Sequence, residues 1–410
     1  MSKKTYLFLH PNFPGQFLHL ARHLAAAGHE VTGLGELANV RRQAKAVPGV
    51  RLVGYKFQRP ATTAHHHVRV LEENALRARA VQLTLLALKK DGFRPDIITA
   101  HTGWGDTLFL REVFPHARIC GYFEYFYRPE GADIGFDPEF PVSMDNRLEV
   151  RMKNATPLLA WEDCDARWTP TRWQASLFPS HLRPDLQVLH EGFDTGNIKP
   201  DPSARIALKN GSRFHAGDEI LTFVNRGMEP YRGLHIFLRS LPEILSRRPS
   251  ARVLIVGGDQ ETPYGNRPPD GITWREQLLR GLGDRLDLSR VHFLGRLPHE
   301  AHVKVLQVSR AHVYLTYPYF LSWSMLEAMS AGCVVIGSNT PPVTEFLEHE
   351  KNGLLVDFFD TASLANRVCN VLAEPEHSAD LRKNARDLIV STLDRDRICV
   401  PALLRLLNGG

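Results

Sequence analysis

The sequence predicts an α/β protein made of two doubly wound domains, each a parallel sheet with helices on both faces. Three observations carry this. Short apolar runs of strand length alternate with longer runs of helical spacing. The alternation stops at a polar stretch rich in Gly, Pro, Asp and Lys, 195–217, which reads as the linker between domains, and then restarts. The 410 residues are roughly two to three times a typical domain length.

The first strand covers 4–9, and a helix over 16–27 ends at Gly28. Strands at 30–34 and 50–55 follow. A long amphipathic helix spans 72–90, with Leu76, Val81, Leu83, Leu86 and Leu88 supplying much of its apolar surface. Next come a strand at 96–100, a helix at 105–113 and a strand at 119–123. Strand, helix, strand at this spacing gives a parallel sheet. The pattern loosens over 127–150, where Pro, Gly and acids read as a long functional loop. A helix through Trp161, a strand at 166–169, a helix at 173–178 and a strand at 187–190 complete the first half.

After the polar stretch, strand 220–225 precedes helix 233–247, and strand 252–256 ends in Gly257-Gly258. A Pro/Gly loop at 261–271 leads to helix 274–282. Strand 291–295, helix 301–308, strand 311–315, helix 324–331 and strand 334–337 follow. The second half repeats the architecture of the first without repeating its sequence. Two open α/β domains of this kind place a ligand cleft between the carboxyl ends of their strands. The domains are 1–200 and 201–379, with 380–410 as a terminal segment forming one final helix over about 380–407.

Hydrophobic residues make up 43% and charged residues 23%, which excludes a disordered, collagenous or disulfide-scaffold chain. The net charge of +5 is small for a dedicated nucleic-acid binder of this length. It is unevenly spread: residues 41–94 hold twelve Lys/Arg against three acids. Such a face attracts anionic lipid or a phosphorylated acceptor, and it equally suits a solvated helix surface. The five cysteines (Cys120, Cys164, Cys333, Cys369, Cys399) form no CxxC pair, as expected of reduced, buried thiols. No signal peptide and no apolar run of membrane-spanning length is visible. The expected location is the cytoplasm, with peripheral contact at the inner membrane surface.

Four segments carry chemistry. Ser322-Trp323-Ser324-Met325-Leu326-Glu327 contains a Ser324-x-x-Glu327 capping box that starts a helix just past a strand. A helix start there offers N–H groups to an anion. Glu327 either closes the cap or accepts hydrogen bonds from a sugar diol. Asn225-Arg226-Gly227, with Arg232-Gly233 six residues on, puts two guanidiniums around a Gly-containing turn. They can clamp a diphosphate and neutralise charge growing on a leaving group, or simply stand on the surface. The first βα loop, from His10 to Gln16, holds Gly15, which lets a ligand approach the backbone. It is not a GxGxxG. His101 ends one strand and Glu124 follows the next. Both overlook the expected cleft, where His101 can hydrogen-bond a substrate, act as acid or base, or satisfy a loop carbonyl. Two patterns are set aside. Asp163-Cys164-Asp165 has metal-diphosphate spacing but lies inside the first domain, and His65-His66-His67, three adjacent residues, converge poorly on one ion.

The series Arg226…Arg232-Gly233, Gly257-Gly258-Asp259, Val291-His292-Phe293-Leu294-Gly295-Arg296-Leu297, Leu326-Glu327-Ala328-Met329-Ser330-Ala331-Gly332 and Asn352-Gly353-Leu354-Leu355-Val356 resembles the retaining GT-B glycosyltransferases of family 4. His190-Glu191-Gly192-Phe193-Asp194 is similar to that family's Pro-Asn-Gly-Val-Asp junction. The resemblance spans nearly the whole chain and is densest in the second half. It implies a GT-B fold, two Rossmann-like domains facing a central cleft with the final helix crossing back to the first domain, and transfer of a sugar from a nucleotide-diphosphate donor with retention and without a metal or cofactor.

It also implies roles. Arg226, Arg232 and the helix start at Ser322, Trp323 and Ser324 would stabilise the leaving diphosphate, with Gly15, Asn225 and Gly258 bordering the donor. Glu327 would hold the ribose, and Gly295, Arg296 and Leu297 would lie against the base. His101 and Glu124 would hold donor sugar or acceptor. In a front-face retaining mechanism the leaving phosphate takes the acceptor proton, so His101 need not be a base. Partners are a UDP- or GDP-sugar and a glycan, lipid-linked or small-molecule acceptor, with no nucleic acid. Three departures stand out. The family's Glu-x7-Glu would put a carboxylate at 319, where this chain has Tyr319, and the family's Lys is Arg232. The family's first-domain His falls at Glu124. A GT-B-like sugar-nucleotide epimerase or hydrolase, or a non-catalytic sugar binder, are the alternatives; products formed from donor alone separate the first, and glycan binding without turnover the second.

Overall fold

In the computed structural model, residues 3–58, 65–259, 264–265, 268 and 271–409 are described. The chain divides into two compact units. The first comprises Met1–Gly135, Pro141–Gly192 and Arg395–Gly410, and the second Phe136–Phe140 and Phe193–Asp394.

The first unit is built on a seven-stranded parallel sheet. Its strands are β1 (Thr5–Leu9), β2 (Glu30–Glu36), β3 (Arg51–Tyr55), β4 (Ile97–His101), β5 (Arg118–Tyr122), β6 (Ala166–Thr169) and β7 (Gln187–Val188). Their order is β3-β2-β1-β4-β5-β6-β7. Both faces of these central strands are covered: β1 is buried from Tyr6 to Leu9, and every residue of β4 is buried, Thr99 and His101 included. One core joins Tyr6, Phe8, Phe17, Tyr122 and Trp168 to Val400, Leu403, Leu406 and Leu407 of the last helix, Val400–Asn408. That buried stripe at helical spacing ties the chain's end to the first sheet.

The second unit has a six-stranded parallel sheet, ordered β12-β11-β10-β13-β14-β15. Before it comes an antiparallel hairpin, β8 (Arg205–Ala207) and β9 (Arg213–His215), inside the stretch expected to be only a linker. The sheet strands are β10 (Ile220–Gly227), β11 (Arg252–Gly258), β12 (Val291–Phe293), β13 (Ala311–Tyr314), β14 (Val334–Ser338) and β15 (Leu354–Val356). Phe223, Phe237, Val253, Val313, Ile336 and Leu364 are among its fully buried core residues. Phe136 and Phe140 pack against that core. Between them, buried Asp137 lies 2.9 Å from His235 and accepts from the Tyr317 hydroxyl at 2.5 Å.

Each sheet reverses its winding beside the strand that comes first in sequence, between β1 and β4 and between β10 and β13. At such a switch point the loops part and leave room for a ligand.

Several elements differ from expectation. The 127–150 loop contains most of a helix, Met144–Lys153, started by a Ser143/Asn146 capping box. The helix at 105–113 shrinks to Leu110–Val113. The helix expected through 380–407 is two, Ala379–Thr392 and Val400–Asn408, joined by a π-helical turn at Arg395–Cys399. On the long helix Arg69–Lys90 the buried face runs through Asn74, Arg77, Ala78, Val81, Leu85 and Leu88, while Leu76, Leu83 and Leu86 are exposed. The Pro/Gly loop at 261–271 lies largely outside the described residues. All five cysteines are buried, and no disulfide forms among the described residues.

Candidate functional site: the carboxyl end of the second sheet

β10 runs out at its switch point through Asn225, Arg226 and Gly227. Asn225 is buried, and neither its Oδ1 nor its Nδ2 meets a partner among the described residues. Burying an unpaired amide costs about 1–3 kcal/mol, a cost that a polar ligand removes. Arg226 is exposed and lays its guanidinium on the Tyr264 ring, 4.8 Å from the centroid. Arg232 lies on the same ring at 5.6 Å. The two cations are thus brought to one aromatic platform, which attracts them through its quadrupole.

Arg232 is buried. Its Nη1 donates to Thr316 Oγ1 at 2.9 Å, the Phe320 carbonyl at 2.9 Å and the Tyr314 hydroxyl at 3.3 Å. Burial lowers its pKa, but Tyr314, Tyr264 and Glu229 outweigh that and leave it raised. Gly233 makes this turn possible: its φ is +70°, and a Cβ there would stand 2.3 Å from the Leu315 Cβ.

The Tyr314 hydroxyl also accepts from the Ser322 backbone N–H at 2.7 Å. One hydroxyl thereby joins Arg232 to the start of the helix Trp323–Ala331. The helix cap differs from the sequence expectation. Ser322, not Ser324, is the N-cap, and its side chain accepts from the Ser324 N–H. Ser324 turns inward and donates to the Val224 carbonyl at 3.0 Å, fastening the helix start to β10. Trp323 sets its ring against Phe193, 6.2 Å between centroids.

Glu327 therefore closes no cap. Its Oε1 accepts from His299 Nε2 and its Oε2 from His302 Nε2, both at 2.8 Å. Burial pushes the carboxyl up, but the two imidazole bonds win and hold it down at about 2. Tyr319, in place of a carboxylate, packs its ring on Phe320 (4.1 Å), Tyr264 (5.2 Å) and Tyr231 (5.6 Å). Gly258 pairs with Gly227 across β10 and β11, and the Gly295 carbonyl accepts from Gly257 N–H at 3.0 Å. The turn bearing Arg296 and Leu297 follows directly.

The first unit holds its own cluster at the β1/β4 switch point. Gly15, at φ +49°, lies so close that a Cβ would stand 2.8 Å from the His10 ring. Gln16 Nε2 donates to Glu124 Oε1 at 2.8 Å, and His101 Nε2 faces Glu124 Oε2 at 3.3 Å. His101 Nδ1 accepts the Gly103 N–H at 3.1 Å. Its ring proton accordingly sits on Nε2, toward the carboxylate, and that nitrogen is a donor rather than a base. The His10 ring stands edge-on to His101 at 5.2 Å and, being buried, is held well below the ordinary histidine pKa.

The patterns set aside divide. Asp165 is structural, accepting from Ile119 N–H at 2.8 Å and Arg111 at 2.9 Å. The three histidines do converge: ring nitrogens of His65, His66 and His67 lie within 4.8 Å of one another, on a turn facing Asp145. Sequence reasoning missed His299, His302, Tyr264, Tyr314 and Gln16. The His299-x-x-His302 spacing, one helical turn, was the available signal for the first two.

Residues 27–198 match the family model for the glycosyl transferase family 4 group, and 205–388 that for glycosyl transferases group 1. A GDP-mannose-dependent alpha-(1-6)-phosphatidylinositol monomannoside mannosyltransferase of Mycobacterium tuberculosis is 25% identical over 300 residues, 72% of each chain. A D-inositol 3-phosphate glycosyltransferase of Rhodococcus jostii is 29% identical over 49% of this chain and 42% of that one. Among solved structures, sucrose-phosphate synthase from Thermosynechococcus elongatus superposes with a TM-score of 0.72 at 19% identity, covering 99% of this chain and 100% of that one. Anabaena HepE in complex with UDP and glucose gives 0.66 at 15%, with the same coverage. These likenesses agree on a GT-B fold.

Proposed function

This chain belongs to the family 4 glycosyltransferases, and on that premise we propose that the second unit binds a UDP- or GDP-sugar and transfers the sugar with retention, without a metal. The observation that carries this is the convergence of Arg226 and Arg232 on Tyr264, with Arg232 joined through Tyr314 to a helix start. Two guanidiniums beside helix N–H groups stabilise the charge that a departing diphosphate gains. Arg232 is locked in place before substrate arrives, so little reorganisation accompanies the reaction. Arg226, stacked and exposed, can close on the phosphates.

The unpaired amide of Asn225 offers one acceptor and two donors to the donor's polar groups. Glu327, ionised across the neutral range, accepts the ribose hydroxyls. Gly258 and the Gly295–Leu297 turn border the nucleoside. Tyr319 presents a ring where a carboxylate would otherwise anchor the sugar.

The first unit takes the acceptor. His101, with its proton on Nε2, donates hydrogen bonds, and the leaving phosphate collects the acceptor's proton. The acceptor is a glycan, a lipid-linked sugar or a small molecule. The mannosyltransferase named above, with its phosphatidylinositol monomannoside acceptor, supports a lipid-linked choice. A peripheral membrane contact is supported by the basic 41–94 segment and by exposed Leu76, Leu83 and Leu86, interleaved on one helix face with exposed Arg79 and Lys90. No helix among the described residues is long and apolar enough to cross a membrane.

The test is a thermal-shift screen of UDP, GDP and their sugars, followed by turnover with the stabilising donor. EDTA should leave turnover unchanged, and the product's anomeric configuration should match the donor's by NMR. Loss of turnover in EDTA restored by Mn²⁺ contradicts the metal-free reading, and an inverted product contradicts retention.

A further inference from the structure

The helix His299–Val308 presents two imidazoles one turn apart, and each takes a different oxygen of Glu327 at 2.8 Å. Their surroundings are unlike. The His302 and Glu327 side chains are 11% and 8% exposed, while that of His299 is 62% exposed. The Oε2 side is sealed by His302, and His299 stands at the solvent side over Oε1. A vicinal diol that bridges both carboxylate oxygens competes with these imidazoles for the same lone pairs. Only the exposed contact can yield without opening the core.

We propose that His302 is a positioning residue that fixes Glu327 for the ribose diol, and that His299 occupies the ribose place until the incoming nucleotide turns it out. This rests on the reading of Glu327 as the ribose acceptor.

The charges around the pair give the exchange a pH dependence. His299 faces Glu327, Asp194 and Glu300, and His302 faces Glu327 and His312. The bond to Glu327, reinforced by all three carboxylates against the effect of burial, raises the pKa of His299. Protonated His299 grips Glu327 harder, so displacing it is harder at low pH. Nucleotide affinity rises as pH climbs through the loss of that proton.

Calorimetric titration of UDP and GDP, and of their 2′-deoxy counterparts, into the full chain at pH 6 and pH 8 tests this. The proteins are wild type, His299→Ala, His302→Ala and His302→Gln. His299→Ala is expected to bind the nucleotide roughly three- to tenfold tighter and to flatten the pH dependence. His302→Ala is expected to bind about tenfold weaker, the loss of one charge-assisted hydrogen bond. His302→Gln, which places an N–H near the lost Nε2, restores affinity. Should His302→Ala not fold, the sign for His299→Ala decides alone. Histidine variants that move affinity in the same direction, or not at all, overturn the proposal. Wild type that fails to distinguish ribonucleotide from 2′-deoxynucleotide overturns instead the ribose reading of Glu327, and failure of both UDP and GDP to bind overturns the donor assignment.

Discussion

Replacing Glu327 by Gln tests how much the double-histidine grip contributes to the fold. The carboxyl is held at about 2 against its ordinary 4.5. At about 1.36 kcal/mol per pKa unit, that displacement contributes about 3 kcal/mol at neutral pH. An independent route gives the same order: two hydrogen bonds to a charged, buried acceptor contribute about 1.5–3 kcal/mol each. A glutamine keeps one acceptor and turns an NH₂ toward the other imidazole N–H, so Glu327→Gln should destabilise by about 2–3 kcal/mol. In a unit of this size that lowers the melting temperature by about 5–10 °C.

The sign with pH follows from the direction of the shift. Glu327's folded value lies below its unfolded one, so its contribution is full above about 4.5 and disappears as pH falls through about 2. The stability gap between wild type and variant should therefore be smaller at pH 3.5 than at pH 6, by about 1 kcal/mol. His299, with a raised value, adds a contribution present below its unfolded pKa and lost as pH rises through its folded one. Urea unfolding followed by tryptophan fluorescence at pH 3.5, 6 and 8 measures these gaps. A gap that stays constant across that range refutes the electrostatic account of Glu327, even if the variant is destabilised.

Arg226→Ala should leave the melting temperature within about 1 °C, because the side chain is exposed, while weakening UDP or GDP binding by about 100-fold; full retained affinity by calorimetry contradicts its role. Arg232→Ala removes a buried cation with three hydrogen bonds and should destabilise by about 3–5 kcal/mol in urea unfolding; a variant as stable as wild type shows that those contacts contribute nothing net. Gly233→Ala should destabilise by about 2–4 kcal/mol, since φ is +70° and the new methyl meets Leu315 at 2.3 Å; unchanged thermal unfolding contradicts the strain argument.

Much of the architecture was legible because strands of parallel sheets covered on both faces are short and largely apolar. Strand Ala166–Thr169 and helix Trp274–Leu282 fall where the periodicity puts them. What was missed depends on long-range partners. Leu76, Leu83 and Leu86 look like core residues in sequence, yet Arg77 is buried instead, paired with Glu36 and Glu73. The break between Thr392 and Val400 has no Gly before it; Phe193 N–H bonds the Leu393 carbonyl, Thr195 bonds Asp394, Pro401 stands in the first turn of the last helix, and that helix packs into the core around Trp168. At the site, Arg226, Arg232 and Glu327 were visible as residues. Their partners were not. Ser324-x-x-Glu327 has the spacing of a cap, but the buried carboxylate gains more from two imidazoles than from one backbone N–H. Tyr314, which joins Arg232 to the helix start, sits in a strand and carries no local motif.

On this reading the carboxyl end of the second sheet is a diphosphate and ribose site. A crystal structure of the chain with UDP or GDP bound tests it most directly. Phosphate oxygens should lie within hydrogen-bond distance of Arg226 and of the helix start after Ser322, and both ribose hydroxyls should lie on Glu327. A nucleotide seated elsewhere, with Arg226 still on Tyr264 and Glu327 still held by both histidines, would contradict it.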